Sequence, residues 1–167
     1  MDTVNSIVKL FKKPNCTIIF NEVHGRHQHK LTDKNQVSSR YPTFFNGDSI
    51  SGIIDIKLNS VTLKHKGIKV ELHGVIEKYG TLTSTTKFLT LTREILSPGE
   101  IFNQNTKLEF YFRNPYLKYE SYKGNYASVK YFVKVIIEST IISSTYEQEF
   151  AVVNPMMNRF YIIMIFL

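Results

Sequence analysis

Val129, Tyr131, Val133, Val135 and Ile137 occupy every second position of one unbroken run, with Lys130 and Lys134 between them. Side chains alternate sides only along a β-strand, so this spacing gives a strand one packed face and one wet face. In a helix the same residues would scatter around the axis. The period recurs along the chain. Ile68, Val70, Leu72 and Ile76 alternate with Lys69, Glu71, His73 and Glu77, and Leu108, Phe110 and Phe112 alternate with Glu109, Tyr111 and Arg113. Ile50, Ile54, Ile56 and Leu58 share a face with Asp55 and Lys57 between them, although Ile53 blurs the pattern. Residues 16–20 and 88–91 are further strand candidates, and a last run puts Tyr146, Gln148, Phe150 and Val152 on one side.

Composition agrees with that period. Val, Ile and Thr make up 44 of the 167 residues, while alanine occurs only at Ala127 and Ala151. β-Branched side chains favour the pleated sheet, and so little alanine disfavours a helix bundle. Turn residues punctuate the runs: Asn46-Gly47-Asp48, Lys66-Gly67, Tyr79-Gly80, Ser97-Pro98-Gly99-Glu100, Asn114-Pro115 and Lys123-Gly124-Asn125. About seven or eight strands so separated predict an all-β, immunoglobulin-like antiparallel sandwich, its two sheets burying their apolar faces against each other. On that reading Lys69, Glu71, Lys130 and Lys134 are mainly exposed, and His65 and His73, on different strand runs, can be read simply as surface residues. No helix longer than a turn or two and no internal repeat is expected.

An apolar share of 43% is enough for a core, and the length fits one domain. One cysteine, Cys16, excludes an internal disulfide and reads as a small core residue. Asp2 stands where a signal peptide wants positive charge, and the terminal FYIIMIFL is too short to cross a bilayer. The expectation is a soluble chain of a reducing compartment. Residues 1–40 hold seven Lys/Arg against three Asp/Glu, within an overall net charge of +7. Residues 21–43 are polar, with few regularly spaced apolar residues, and read as a basic hairpin or a mobile loop. Such a balance fits an acidic partner or a membrane surface without requiring either.

Little in the sequence points to catalysis. No nucleophile elbow or Gly-rich phosphate loop is present. Glu147 and Glu149 share a strand face and form the one carboxylate pair of interest, which a solvated sheet face explains more simply. His24, His27 and His29 invite a metal reading, but their spacing is not diagnostic and an exposed loop accounts for them better. Asn15-Cys16-Thr17 matches a glycosylation acceptor by chance. Tyr111, Tyr116, Tyr119, Tyr122, Tyr126 and Tyr131 lie among Arg113, Lys118, Lys123 and Lys130, a mixture that can stack bases. Glu109 and Glu120 dilute it, and no RNA-binding signature accompanies it, so no nucleic acid is expected. A protein-binding surface suits a sandwich's loops and edges better. Enzyme activity, cofactors and metal sites are not expected.

Several segments, read together, resemble the arrestin-like subunit of retromer, the endosomal sorting complex. They are FFNGDSISGIIDIKL (44–58), LKHKGIKVELHGVIE (63–77), FLTLTREILSPGEI (88–101), LEFYFRNPYLKYESYKGNYASVKYFVKVII (108–137) and YEQEFAVV (146–153). The most specific pieces are Leu96–Glu100, Tyr119–Gly124 and Lys130–Val135. The resemblance implies an arrestin-like sandwich over residues 1–153, the first of a tandem pair. It further implies that the second sandwich is absent and that 154–167 is a divergent apolar tail. It implies a non-enzymatic role in the cytoplasm, peripheral on the cytosolic face of the endosome. There the chain would join an α-solenoid subunit, a metallophosphoesterase-like subunit, sorting nexins and the tails of transmembrane cargo returning to the Golgi or plasma membrane. The alternatives are an arrestin-like cargo adaptor outside retromer, or an anionic lipid- or RNA-binding β module.

The matching positions carry structural expectations. Gly47 and Gly52 relieve the backbone where a strand begins, and Gly67 and Gly74 punctuate the strands that follow. Pro98 and Gly99 turn the chain and project the Glu100 carboxylate. Tyr119, Tyr122 and Tyr131 fill the sandwich or give their hydroxyls to a buried edge, within the motif that also holds Glu120 and Gly124.

Overall fold

The computed structural model describes residues 13–21, 27–33, 35–139 and 143–154. Every regular element among them is a strand: β1 (Asn15–Phe20), β2 (Gln28–Thr32), β3 (Ser38–Phe44), β4 (Ile50–Lys57), β5 (Leu63–His65), β6 (Gly67–Lys78), β7 (Ser84–Leu96), β8 (Gly99–Ile101), β9 (Asn105–Phe112), β10 (Tyr122–Lys123), β11 (Ala127–Glu138) and β12 (Ser144–Val152). Residues 1–12, His24 of the histidine trio, and the tail beyond Asn154 lie outside the described residues.

One sheet runs β1-β4-β9 and the other β2-β3-β12-β11-β6-β7, with β10 paired to β11 and a small β5-β8 ribbon alongside. All pairings are antiparallel except β12–β3, which is parallel through Ala151↔Thr43 and Val152↔Phe44. The alternating residues do meet between the sheets. Ile18, Phe20, Ile50, Ile54, Ile56, Phe110 and Phe112 of the smaller sheet face Ile68, Val70, Leu72, Val129, Tyr131, Val133, Val135, Ile137, Phe150 and Val152 of the larger one. Phe20, Phe44 and Phe150 meet edge to face at 5.1–5.5 Å between centroids, the favoured geometry for rings with negative faces and positive edges. The resulting architecture is an all-β sandwich of two facing sheets.

Outside the core the structure corrects several expectations. Lys69, Glu71, Lys130 and Lys134 are half-buried rather than mainly exposed. Lys130 pairs with Glu77 at 2.6 Å, Lys134 with Glu147 at 3.0 Å and Lys69 with Glu138 at 2.8 Å, so long side chains lie flat along the sheet and shield one another. His73 is buried too, stacked on Phe132 at 5.0 Å and bound through Nε2 to the Glu71 carboxylate at 2.7 Å. His65 is buried on β5, where loss of water lowers its pKa. Gln148 is exposed although its neighbours Phe150 and Val152 are not.

The third strand candidate, 88–91, belongs to the 13-residue β7. Two residues of β7 are skipped in its pairing with β6: Ile95, between Ile68↔Leu96 and Lys69↔Glu94, and Phe88, between Gly74↔Leu89 and Val75↔Lys87. Each is a bulge that re-aims a side chain. Gly74 therefore sits inside β6 and does not punctuate it. A Cβ there would lie 2.5 Å from the Phe88 ring, so glycine is the residue that lets Phe88 lie over the strand. Gly52, inside β4, answers to the same cause and not to relief at a strand's start, because a Cβ would sit 2.7 Å from the Phe110 ring and against the Ile19 carbonyl. Gly47 and Gly67 are the conformational glycines, at φ +97° and +135°.

Candidate functional site

The motif residues of 113–131 converge at one end of the larger sheet, where the chain leaves β9 and crosses to β10. Tyr131 is fully buried on β11, and its phenol donates to the Tyr119 carbonyl at 2.8 Å and accepts the Tyr119 N–H at 2.9 Å. One hydroxyl thus satisfies both backbone groups of a residue with no ladder partner. Burial pushes the Tyr131 phenol well above its ordinary pKa, so it stays a neutral donor. Phe88 wedges against both rings, 4.9 Å from Tyr119 and 5.4 Å from Tyr131. Removing the hydroxyl in Tyr131→Phe takes both bonds from the half-buried Tyr119 backbone, at an expected cost of about 0.5–1.5 kcal/mol for each, read as a lower denaturant midpoint.

The crossing is stitched down on its other side. Ser121 N–H donates to the Val152 carbonyl at 2.8 Å, and Val152 N–H donates to Ser121 Oγ at 2.9 Å. Asn46 Oδ1 accepts the Leu117 N–H at 3.0 Å, while Asn154 Nδ2 donates to the Leu117 carbonyl. Lys123 reaches the Tyr41 hydroxyl at 2.6 Å and the Glu149 carboxylate at 2.9 Å. Burial alone would lower the Lys123 pKa, but these partners more than offset that and raise it. Glu77 behaves in the mirror sense. Burial would raise its carboxyl, yet hydrogen bonds from Lys130, Tyr79 and Ser128 hold it below the ordinary range.

These contacts tie loops to sheets and gather no reacting groups. Glu147 and Glu149 part company, one to Lys134 and the other to Lys123. Cys16 is half-buried, and burial, reinforced by Asp55, pushes its thiol up to about 12, so it is a poor nucleophile near neutrality. His27 is exposed and His29 half-buried on β2, and among the described residues no three His, Cys, Asp or Glu side chains come close enough to hold an ion. Glu100 projects into solvent after the Pro98-Gly99 bend, with Lys64 at 3.1 Å. Glu120 is half-buried, Tyr122 partly exposed, and Gly124 closes the β10–β11 turn by donating to the Ala127 carbonyl at 2.9 Å.

Tyr116 and Tyr126 are exposed, and Lys118 sits over the Tyr119 ring at 4.8 Å. Asn46, Ser121 and Asn154 were not singled out as site residues by sequence, because isolated polar residues carry no period.

The family model for vacuolar protein sorting-associated protein 26 matches residues 11–160. The chain is 32% identical over 153 residues to vacuolar protein sorting-associated protein 26B of Arabidopsis thaliana, a match covering 90% of this chain and 50% of that protein. It is 28% identical over 137 residues to the Mus musculus protein of the same name, covering 81% of this chain and 40% of the relative. The chain therefore spans half or less of the length of these relatives. Among solved structures, the crystal structure of Spo0M, a sporulation control protein from Bacillus subtilis, aligns with a TM-score of 0.58 at 12% identity, over 85% of this chain and 50% of that one. At that identity the likeness is one of fold alone. Since the family match runs through the whole sandwich and every motif residue described above, this chain belongs to the vacuolar protein sorting-associated protein 26 family.

Proposed function

We propose that this chain acts as the first arrestin-like sandwich, residues 1–153, of a retromer subunit that returns transmembrane cargo from endosomes to the Golgi or plasma membrane. The observation that carries the reading is the family match over residues 11–160, laid on a sandwich whose motif residues are spent on structural ties. Its work is protein–protein contact on the cytosolic face of the endosome. The partners are the α-solenoid subunit, the metallophosphoesterase-like subunit within the assembly, sorting nexins and cargo tails. In the family the second sandwich makes the main contact with the solenoid subunit, so these residues alone hold the smaller share of the interface. Affinity follows fitted, desolvated anchors, which charge attraction does not replace.

Calorimetry with purified solenoid subunit tests this. The 167-residue chain is expected to bind weakly or not measurably, and a version carrying a second arrestin-like sandwich is expected to bind at least about tenfold more tightly, a gain of about 1.4 kcal/mol. Equal, tight binding by both would refute the division of roles. Failure of both to bind, with cargo tails still captured, would favour an adaptor outside retromer.

A further inference from the structure

Among the described residues, the β2–β3 hairpin joins the ladder of the larger sheet at its base, and β2 also lies beside β10. Among the described residues, β3 pairs with β12 through Thr43 and Phe44, Tyr41 is held by Lys123, and from Ser38 to Pro42 the strand partner of β3 is β2. The ribbon has two unlike faces. His29, Leu31, Ser39 and Tyr41 are half-buried, while Gln28, Lys30, Ser38 and Arg40 are exposed. Lys30 and Arg40 stand directly opposite each other on that exposed face. Like charges in register across two strands repel and destabilise the pair. No acidic side chain among the described residues pairs with either one. The nearby carboxylate, Asp33, is committed to the turn, accepting the N–H groups of Asn35 and Val37 at 2.9 Å each. Val37, 58% exposed, sits beside the turn at the far end of the ribbon.

We propose that this outward face is a docking surface for a bilayer carrying anionic lipid, with Lys30 and Arg40 meeting the headgroups and Val37 reaching the interface. An unpaired cation pair gains from a surface that offers many anions in one plane, and an exposed apolar residue at the end gains from an interface with acyl chains beneath it. Single-stranded nucleic acid would want an aromatic platform beside the cations, but the Tyr41 ring is turned to Lys123, whose ammonium lies 4.6 Å from its centroid. The surface goes beyond retromer membership and is tested without any retromer partner.

The test is co-sedimentation of the full chain with vesicles of phosphatidylcholine alone and with phosphatidylserine added. Binding is expected only where phosphatidylserine is present, and it should weaken as salt rises. Lys30→Gln with Arg40→Gln is expected to weaken the partition about 25-fold, near fivefold for each cation. Val37→Asp should weaken it at every salt concentration. The changed side chains are exposed, so the unfolding midpoints should stay put. Equal binding to both vesicle types, an unchanged partition for the double variant, or tighter capture of single-stranded RNA would each overturn the proposal. The lipid comparison on the unsubstituted chain decides the matter even if a variant fails to fold.

Discussion

Val133→Asp is expected to lower the stability of this domain by about 4 kcal/mol or more, a large share of the roughly 5–15 kcal/mol that holds an ordinary domain folded. Val133 is fully buried near the centre of β11, opposite Leu72 on one side and Gln148 on the other. The change removes a packed side chain and puts a carboxylate where no cation faces it, since Lys130 and Lys134 lie on the other side of the strand and are already paired. In thermal unfolding this should appear as a midpoint lower by about 10 °C or more, at roughly 2–4 °C per kcal/mol for a domain of this size. Lys134→Ala supplies the contrast. Its ion pair with Glu147 is partly open to water, so the cost should stay within about 1 kcal/mol. An unchanged midpoint for Val133→Asp would place the residue outside the core and undo the packing described for both sheets.

Gly52→Val is expected to be nearly as damaging, for the opposite reason. Here nothing is lost; atoms are added where there is no room. The new Cβ would lie 2.7 Å from the Phe110 ring and press on the Ile19 carbonyl, and that carbonyl belongs to the β1–β4 ladder, so it cannot simply rotate away. The smaller sheet has only three strands, and prising β1 from β4 opens the core at Ile18 and Phe20. Overpacking typically costs about 1–3 kcal/mol, and a branched side chain against backbone belongs at or above the top of that range. Gly80→Ala, at an open site, should be nearly neutral. A double-mutant cycle sharpens the reading. If the ring is the obstacle, Gly52→Ala should cost less in a Phe110→Leu background than alone, and strict additivity would show that the ring is not what forbids a side chain at position 52.

The two substitutions bear differently on function. Because the motif residues around Tyr119 and Tyr131 are held by Phe88, Val152 and the sheet ends, loosening either sheet should disorder this crossing before the chain unfolds outright. Variants on the β2–β3 ribbon should leave the sandwich alone, since Lys30 and Arg40 touch none of its core.

What the sequence determined by itself was everything that depends on a period of two. The inward rows on β4, β6, β9 and β11 were readable because alternation is enforced by backbone geometry within each strand. The family followed from short motifs such as Tyr119–Gly124, and these survive in the structure as contacts among Tyr119, Lys123, Tyr131 and Glu149. What only the tertiary structure decided depends on which strands lie side by side. Nothing local marks Phe88 as a bulge or Gly74 as the gap that receives it, because the need arises only when β6 and β7 pair. The burial of His73 beneath Phe132, and the half-burial of Lys130 beside Glu77, likewise come from neighbours brought in from distant parts of the chain. The parallel meeting of β3 with β12 joins residues more than a hundred positions apart, and there the basic ribbon enters the ladder of the larger sheet. Alternation tells which way a side chain points, but only packing tells what it will meet.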